Sequence, residues 1–165
     1  MIGVGEKFPE FKLTGVSGNQ CNLNEDWHDA DHDFITIKSW NLKDWSVIYF
    51  YPKDFTPGCT KHVCSFRDHY DEFSELDCSV IGISGDSTKS HIAFHNRYQL
   101  NYHLLSDEKN LIRKLFEVPS NLFGLIPGRV TYVINKKGVI IGTYNALVNS
   151  LGHIGFALDC LKKEA

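Results

Sequence analysis

The chain reads as a single α/β domain over residues 1–165, a three-layer sandwich with an N-terminal hairpin extension. Three observations predict it. The runs Val47 to Tyr51, Val80 to Ile83 and Val130 to Ile134 are short and continuously β-prone, which is how strands buried on both faces read. Between the first two lies a stretch of helical period, so the order is strand, helix, strand. After the third come a turn, another strand and a last amphipathic stretch. A length of 165 residues, 42% of them hydrophobic and 13% aromatic, suits one globular domain and excludes a disordered or fibrous chain.

Up to about Leu23, short apolar runs at Phe8, Phe11 and Leu13 are broken by Gly15, Gly18 and Asn19, which suits a hairpin. Residues 24–45 hold all three tryptophans, Trp27, Trp40 and Trp45, with His28, Asp29, Asp31, His32 and Asp33. They predict an elaborated surface segment around one short strand, Phe34 to Lys38, with the tryptophans as packing. The strand Val47 to Tyr51 is ended by Pro52. Cys59, Val63, Phe66, Tyr70 and Phe73 then recur at spacings of four, three, four and three residues, giving a helix with one apolar stripe. Residues 87–99 and 106–116 are predicted helical, the second opened by Ser106 as a cap with Asp107 and Glu108 in its first turn. A hairpin follows, Val130 to Ile134 and Val139 to Tyr144 around Asn135-Lys136-Lys137-Gly138. In the closing helix Leu151, Ile154, Leu158 and Leu161 share a face. This order of elements matches a thioredoxin-like α/β sandwich.

Seventeen basic against twenty acidic side chains, a net charge of −3, provide no concentrated cationic face for nucleic acid or an anionic membrane. Met1 to Lys12 mixes acidic and basic residues where a signal peptide would be apolar, and no run approaches about eighteen apolar residues. The expectation is a soluble, cytoplasmic protein. In a reducing compartment five cysteines are not a disulfide framework, so the close pair Cys59 and Cys64 becomes a candidate for catalysis or metal binding.

Tyr51-Pro52-Lys53-Asp54-Phe55-Thr56-Pro57-Gly58-Cys59 leaves a buried strand through two prolines and a glycine and enters a helix at its first turn. A cysteine there faces unpaired backbone N–H groups and the positive end of the helix dipole, which favour the reactive thiolate. Thr56 can place a hydroxyl beside the sulfur, while Pro52 and Pro57 stiffen and shield the loop. Such a site suits attack on an electrophilic oxygen. Cys64, five residues on, points about 140° away from Cys59 in an intact helix. Their α-carbons then lie beyond the roughly 7 Å limit for bridging, so a bond between them requires the first turns to unwind.

Pro52, Thr56 and Cys59 reproduce the P-x-x-x-T-x-x-C signature of the peroxiredoxins. The longer string through Thr60 to Cys64-Ser65-Phe66-Arg67-Asp68 resembles the peroxiredoxin Q, or bacterioferritin comigratory protein, branch. That resemblance implies a thiol peroxidase acting on hydrogen peroxide and organic hydroperoxides, without metal, haem, flavin or other cofactor. By the same resemblance Cys59 is the peroxidatic residue and Cys64 the resolving one, joined in an intramolecular disulfide, with a helix that melts locally once per cycle. Gly128-Arg129-Val130-Thr131-Tyr132-Val133-Ile134 resembles the family segment whose arginine holds the peroxide, which makes Arg129 a site residue. The implied partner is thioredoxin or a similar dithiol reductant, and the expected state a monomer or weak homodimer. The segment from Asn24 to Trp45 is closer in character to the alkyl hydroperoxide reductase branch, whose members are usually dimers or larger. Cys160 is a second candidate for resolution, since other peroxiredoxins resolve across a subunit boundary with a cysteine in that region.

Blander readings stand beside these. Cys59 and Cys64 can be packed small hydrophobes, Thr56 a helix cap, and Arg129 a surface residue after a Pro-Gly turn. Cys59-x-x-His62-x-Cys64 lacks the second half of a structural zinc site. The pairs His28 with His32 and His91 with His95 have helical spacing but are explained as solvated surface histidines. Cys78 reads as core or edge, and Cys21 lies in the early hairpin. A competing class is a thioredoxin-like disulfide carrier, which calls for C-x-x-C where this chain has four intervening residues. A third is a peroxide-sensing redox switch or holdase.

Overall fold

The computed structural model of the chain describes residues 1–18, 34–39, 42 and 44–164. In chain order the elements are β1 (Lys12–Val16), β2 (Phe34–Lys38), β3 (Trp45–Phe50), α1 (Pro57–Asp68), α2 (Tyr70–Glu75), β4 (Cys78–Ser84) and α3 (Thr88–Tyr98). There follow β5 (His103–Ser106), α4 (Leu111–Leu115), β6 (Ser120–Asn121), β7 (Ile126–Pro127), β8 (Val130–Ile134), β9 (Ile140–Asn145) and α5 (Ser150–Glu164). Seven strands form one mixed sheet in the order β2-β1-β5-β4-β3-β8-β9, and β6 pairs with β7 in a separate small ribbon.

The three central strands β5, β4 and β3 run parallel, as expected of strands covered on both faces. Alternation along β3 shows how the layers are built. Val47, Tyr49 and the following Tyr51 enter a core shared with α1, α2, α3 and α5 through Val63, Phe66, Tyr70, Phe73, Phe94, Ile154 and Leu158. Ile48 and Phe50 enter the opposite core with Ile81, Ile83, Val130 and Tyr132, covered by Phe11, Phe116 and, from α4, Ile112. The thioredoxin-like three-layer sandwich is therefore present, with a thick helical layer on one face and a thin one on the other. No helix of the described residues is long and apolar enough to cross a membrane.

Five local expectations are corrected. The N-terminal hairpin exists, but β1 pairs with β2, so its second strand lies beyond Leu23. Gly15 sits inside β1 rather than in a turn: a Cβ there would stand 1.9 Å from the Leu104 carbonyl oxygen of β5, so the glycine marks close backbone approach. The apolar stripe from Cys59 to Phe73 is continuous in burial, yet its helix breaks at His69 into α1 and α2. Ser106 ends β5 instead of opening a helix, and its hydroxyl donates to the Asp86 carbonyl. The Asp107 carboxylate caps the next helix, accepting from Ile112 N at 3.2 Å and Arg113 N at 2.8 Å. In α5 Ile154, Ala157, Leu158 and Leu161 are buried, whereas Leu151 in the first turn is 53% exposed.

Candidate functional site

The site is assembled where strand ends meet. β3 and β8 pair antiparallel with Phe50 opposite Val130, so the C-terminal end of β3 lies beside the N-terminal end of β8. The chain leaving β3 runs through buried Tyr51 and half-buried Pro52 toward α1, and Arg129 immediately precedes β8. Phe55 turns this loop in the left-handed region (φ 61°) and rests its ring against Phe94 and Tyr98. Thr56 returns to extended backbone as the N-cap residue, Pro57 occupies the first turn, and the first helical hydrogen bond runs from Thr60 N to the Thr56 carbonyl. Cys59 thus sits in the first turn, where backbone N–H groups have no partner within the helix.

Cys59 and Arg129 are both buried, and the guanidinium spans sulfur and backbone. Nη2 donates to Cys59 Sγ at 3.3 Å and Nη1 to the Gly58 carbonyl at 3.3 Å. A second buried arginine lies close by. Arg113 donates from Nη2 to the Tyr51 carbonyl and from Nη1 to the Gly128 carbonyl, each at 2.8 Å, stitching the two converging segments together. Its guanidinium stands over the Phe50 ring, and burial lowers its pKa to about 10. Thr56 Oγ1 donates to the Lys53 carbonyl at 3.1 Å and makes no hydrogen bond to the helix, so it closes the loop without acting as a side-chain cap.

Cys59 and Cys64 are free thiols in one intact helix. Ideal helix geometry separates their α-carbons by roughly 8–9 Å. Cys64 is half-buried; burial pushes its thiol up, Arg67 pulls it down and Asp68 pushes it up. On either side of it α1 is tied down: Tyr102 Oη donates to the Val63 carbonyl at 2.7 Å and Arg67 Nη1 to the Tyr98 carbonyl at 2.6 Å. Because the single proton of Tyr102 is committed to Val63, Tyr49 donates in the 2.7 Å Tyr49–Tyr102 bond.

Several groups around the site carried no local signal in the sequence. Asp54 is buried and accepts from Tyr51 Oη at 2.7 Å, Ser90 Oγ at 2.8 Å and His91 Nδ1 at 2.8 Å. Its own N–H donates to the Asp86 carboxylate at 2.9 Å. Asp54, Asp86 and His91 offer atoms within 4.8 Å of one another, but His91 already spends Nδ1 on Asp54 and Nε2 on the Leu105 carbonyl. His91 and His95 are therefore buried, structurally bonded histidines rather than surface ones, because α3 turns that face onto the sheet. His28, His32, Cys21, Trp27 and Trp40 lie outside the described residues. Trp45 is half-buried against the main core, Cys78 is buried at the start of β4, and half-buried Cys160 places Sγ 3.6 Å from the Ile141 carbonyl.

Residues 4–143 match the model of the AhpC/TSA family. The chain is 53% identical over 161 residues to the chloroplastic peroxiredoxin Q of Arabidopsis thaliana, covering 98% of this chain and 68% of that protein. Over 147 residues it is 52% identical to the chloroplastic peroxiredoxin Q of Triticum aestivum, covering 89% and 67%; for that of Sedum lineare the values are 52% over 116 residues, 70% and 62%. The chain thus spans 62% to 68% of the length of these relatives. Among solved structures, peroxidoxin BcpB of Mycobacterium tuberculosis superposes with a TM-score of 0.80 at 27% identity, covering 100% of this chain and 99% of that one. The bacterioferritin comigratory protein of Xanthomonas campestris gives 0.68 at 31% identity, covering 74% and 80%.

Proposed function

The chain belongs to the AhpC/TSA family and, within it, to the peroxiredoxin Q branch, and from that premise we propose that it reduces hydrogen peroxide and organic hydroperoxides with Cys59 as the attacking residue. What carries the assignment is the buried contact of Arg129 Nη2 with Cys59 Sγ at 3.3 Å. The fork of donors sits where negative charge is carried by the sulfur and then by the departing oxygen.

In the first step the Cys59 thiolate attacks one peroxide oxygen. The S–O bond forms as the O–O bond breaks, the leaving oxygen takes a proton and departs as water or alcohol, and Cys59 becomes a sulfenic acid. Thr56 and Pro52 shape and shield the loop through which the oxidant reaches the sulfur. In the second step the Cys64 thiolate attacks the sulfenic sulfur, forming the intramolecular disulfide and releasing the hydroxyl, which is protonated to water. A geometry with both cysteines in intact α1 requires its first turns to open for that step.

Family membership brings a peroxide substrate and a thiol reductant. The finer assignment we propose is thioredoxin or a similar dithiol, which would regenerate both thiols by exchange. The test is intact-mass analysis after one equivalent of peroxide. Wild type should lose two hydrogens, Cys64→Ser should hold a trappable sulfenic acid, and Cys59→Ser should show neither. A Cys59→Ser protein that consumes peroxide at the wild-type rate would overturn the assignment.

A further inference from the structure

His62 lies on α1 midway between the two cysteines, and its ring is fully buried. The ring is packed edge-on against Tyr49 of β3 at 4.8 Å, tilted against Phe66 of its own helix at 5.2 Å, and tilted against His153 of α5 at 4.6 Å. Neither Nδ1 nor Nε2 has a hydrogen-bond partner among the described residues. Among the described residues the charged or titratable groups that bear on it are Tyr49, His153 and Arg129, with Cys59 one turn earlier on the same helix and held by Arg129. His153 itself is held toward its neutral form by burial, with Nε2 donating to the Ala146 carbonyl at 2.8 Å and Nδ1 2.8 Å from Thr131 Oγ1. A proton on His62 would therefore lie unsolvated beside a neutral histidine and a guanidinium.

Solvation for that ring is available if the helix opens. From Val63 onward α1 is held by Tyr102 and Arg67, whereas its first turn is held by Arg129 at Gly58 and Cys59. We propose that His62 couples proton uptake to the unwinding of the N-terminal half of α1, so that acidification releases the segment that must open for Cys59 to meet Cys64. The second clause rests on the assignment of those cysteines given above. In the folded helix burial first, then His153 and Arg129, hold the His62 pKa well below its ordinary value; in the opened segment it returns toward about 6.5. The opened state binds the extra proton, so opening is favoured as pH falls below about 6.5. His62 is in this sense a positioning residue for resolution, acting through the helix that carries the sulfur.

Hydrogen–deuterium exchange of the reduced protein, corrected for the intrinsic pH dependence of amide exchange, tests this directly. Between pH 7.5 and 5.5 the opening equilibrium of peptides covering residues 57–63 should rise roughly tenfold in wild type, with α3 peptides unchanged. The same peptides should be flat in His62→Gln, which cannot charge. A flat wild-type profile overturns the proposal whether or not the variant folds, and so do parallel profiles in wild type and variant. In single-turnover disulfide formation the ratio of wild type to His62→Gln should rise by a similar factor over that range, because Cys64 ionisation is common to both. A protein that shows the exchange profile but forms no sulfenic acid with peroxide would sink the peroxidase assignment and leave the coupling of His62 to unwinding intact.

Discussion

Asp54 Oδ2 and His91 Nδ1 meet 2.8 Å apart in the interior, joining the loop before Cys59 to α3. His91 Nε2 faces the Leu105 carbonyl at 3.1 Å, so the buried ring meets a polar partner at each nitrogen. Removing one partner of a buried hydrogen-bonded pair strands the other, which costs more than the pair contributes. Asp54→Asn should therefore lower stability by about 3 kcal/mol, read as a shift in the urea midpoint, and slow peroxide reduction because the loop loses its anchor. An unchanged midpoint would mean that the pair holds nothing.

Arg129 meets the sulfur and the Gly58 carbonyl with two arms of one fork. Arg129→Gln should cut the second-order rate with peroxide by on the order of a hundredfold, measured by stopped flow under a single turnover. Arg129→Lys keeps the charge but loses the fork, so its rate should fall between the two. A rate independent of this side chain would remove electrostatic assistance from the mechanism.

Without Cys64 nothing competes with a second peroxide for the sulfenic acid, so Cys64→Ser should accumulate sulfinic acid at Cys59 at lower peroxide concentrations than wild type. Cys160→Ser should leave the intramolecular disulfide unaffected. Intermolecular bands on a non-reducing gel that vanish only with Cys160→Ser would transfer resolution to that cysteine.

His153, fully buried between α5 and β8, has its pKa lowered to about 4, by burial first, opposed by its bond to Ala146 and aided by Arg129. The unfolded chain binds a proton there below about 6.5 that the folded protein refuses. Stability from this group is complete above that value and declines as pH falls toward 4, by about 3 kcal/mol at most. Urea titrations at pH 7 and 4.5 should show the decline, and His153→Gln should flatten it. Equal slopes in both proteins would assign the acid lability elsewhere, His62 being the first group to examine.

The central strands and helices were legible because burial on both faces or on one stripe leaves a periodic trace, as in Val47 to Tyr51 and in Cys59, Val63 and Phe66. Cys59 and Arg129 were legible only through the motifs around them. Their proximity follows from the pairing of Phe50 with Val130, a relation between strands 80 residues apart that no local window contains. Asp54, Arg113 and His91 were opaque for a related reason: a buried charge looks like a surface charge until its partner is known, and here each partner comes from a distant element. Ser106 misled because Asp107, one residue later, performs the capping. Leu151 misled because Ser150 and His153, not the apolar residue between them, take the buried face of the first turn of α5.

Arg129 belongs to a strand end locked in register, whereas Cys59 rides on the turn of helix that the proposed disulfide with Cys64 requires to open. When the segment opens, the guanidinium stays at home and the sulfur departs from it. On the cycle we propose, the oxidised sulfur is then withdrawn from the fork of donors that Arg129 holds over it, so each excursion toward Cys64 would double as a refuge from further oxidation.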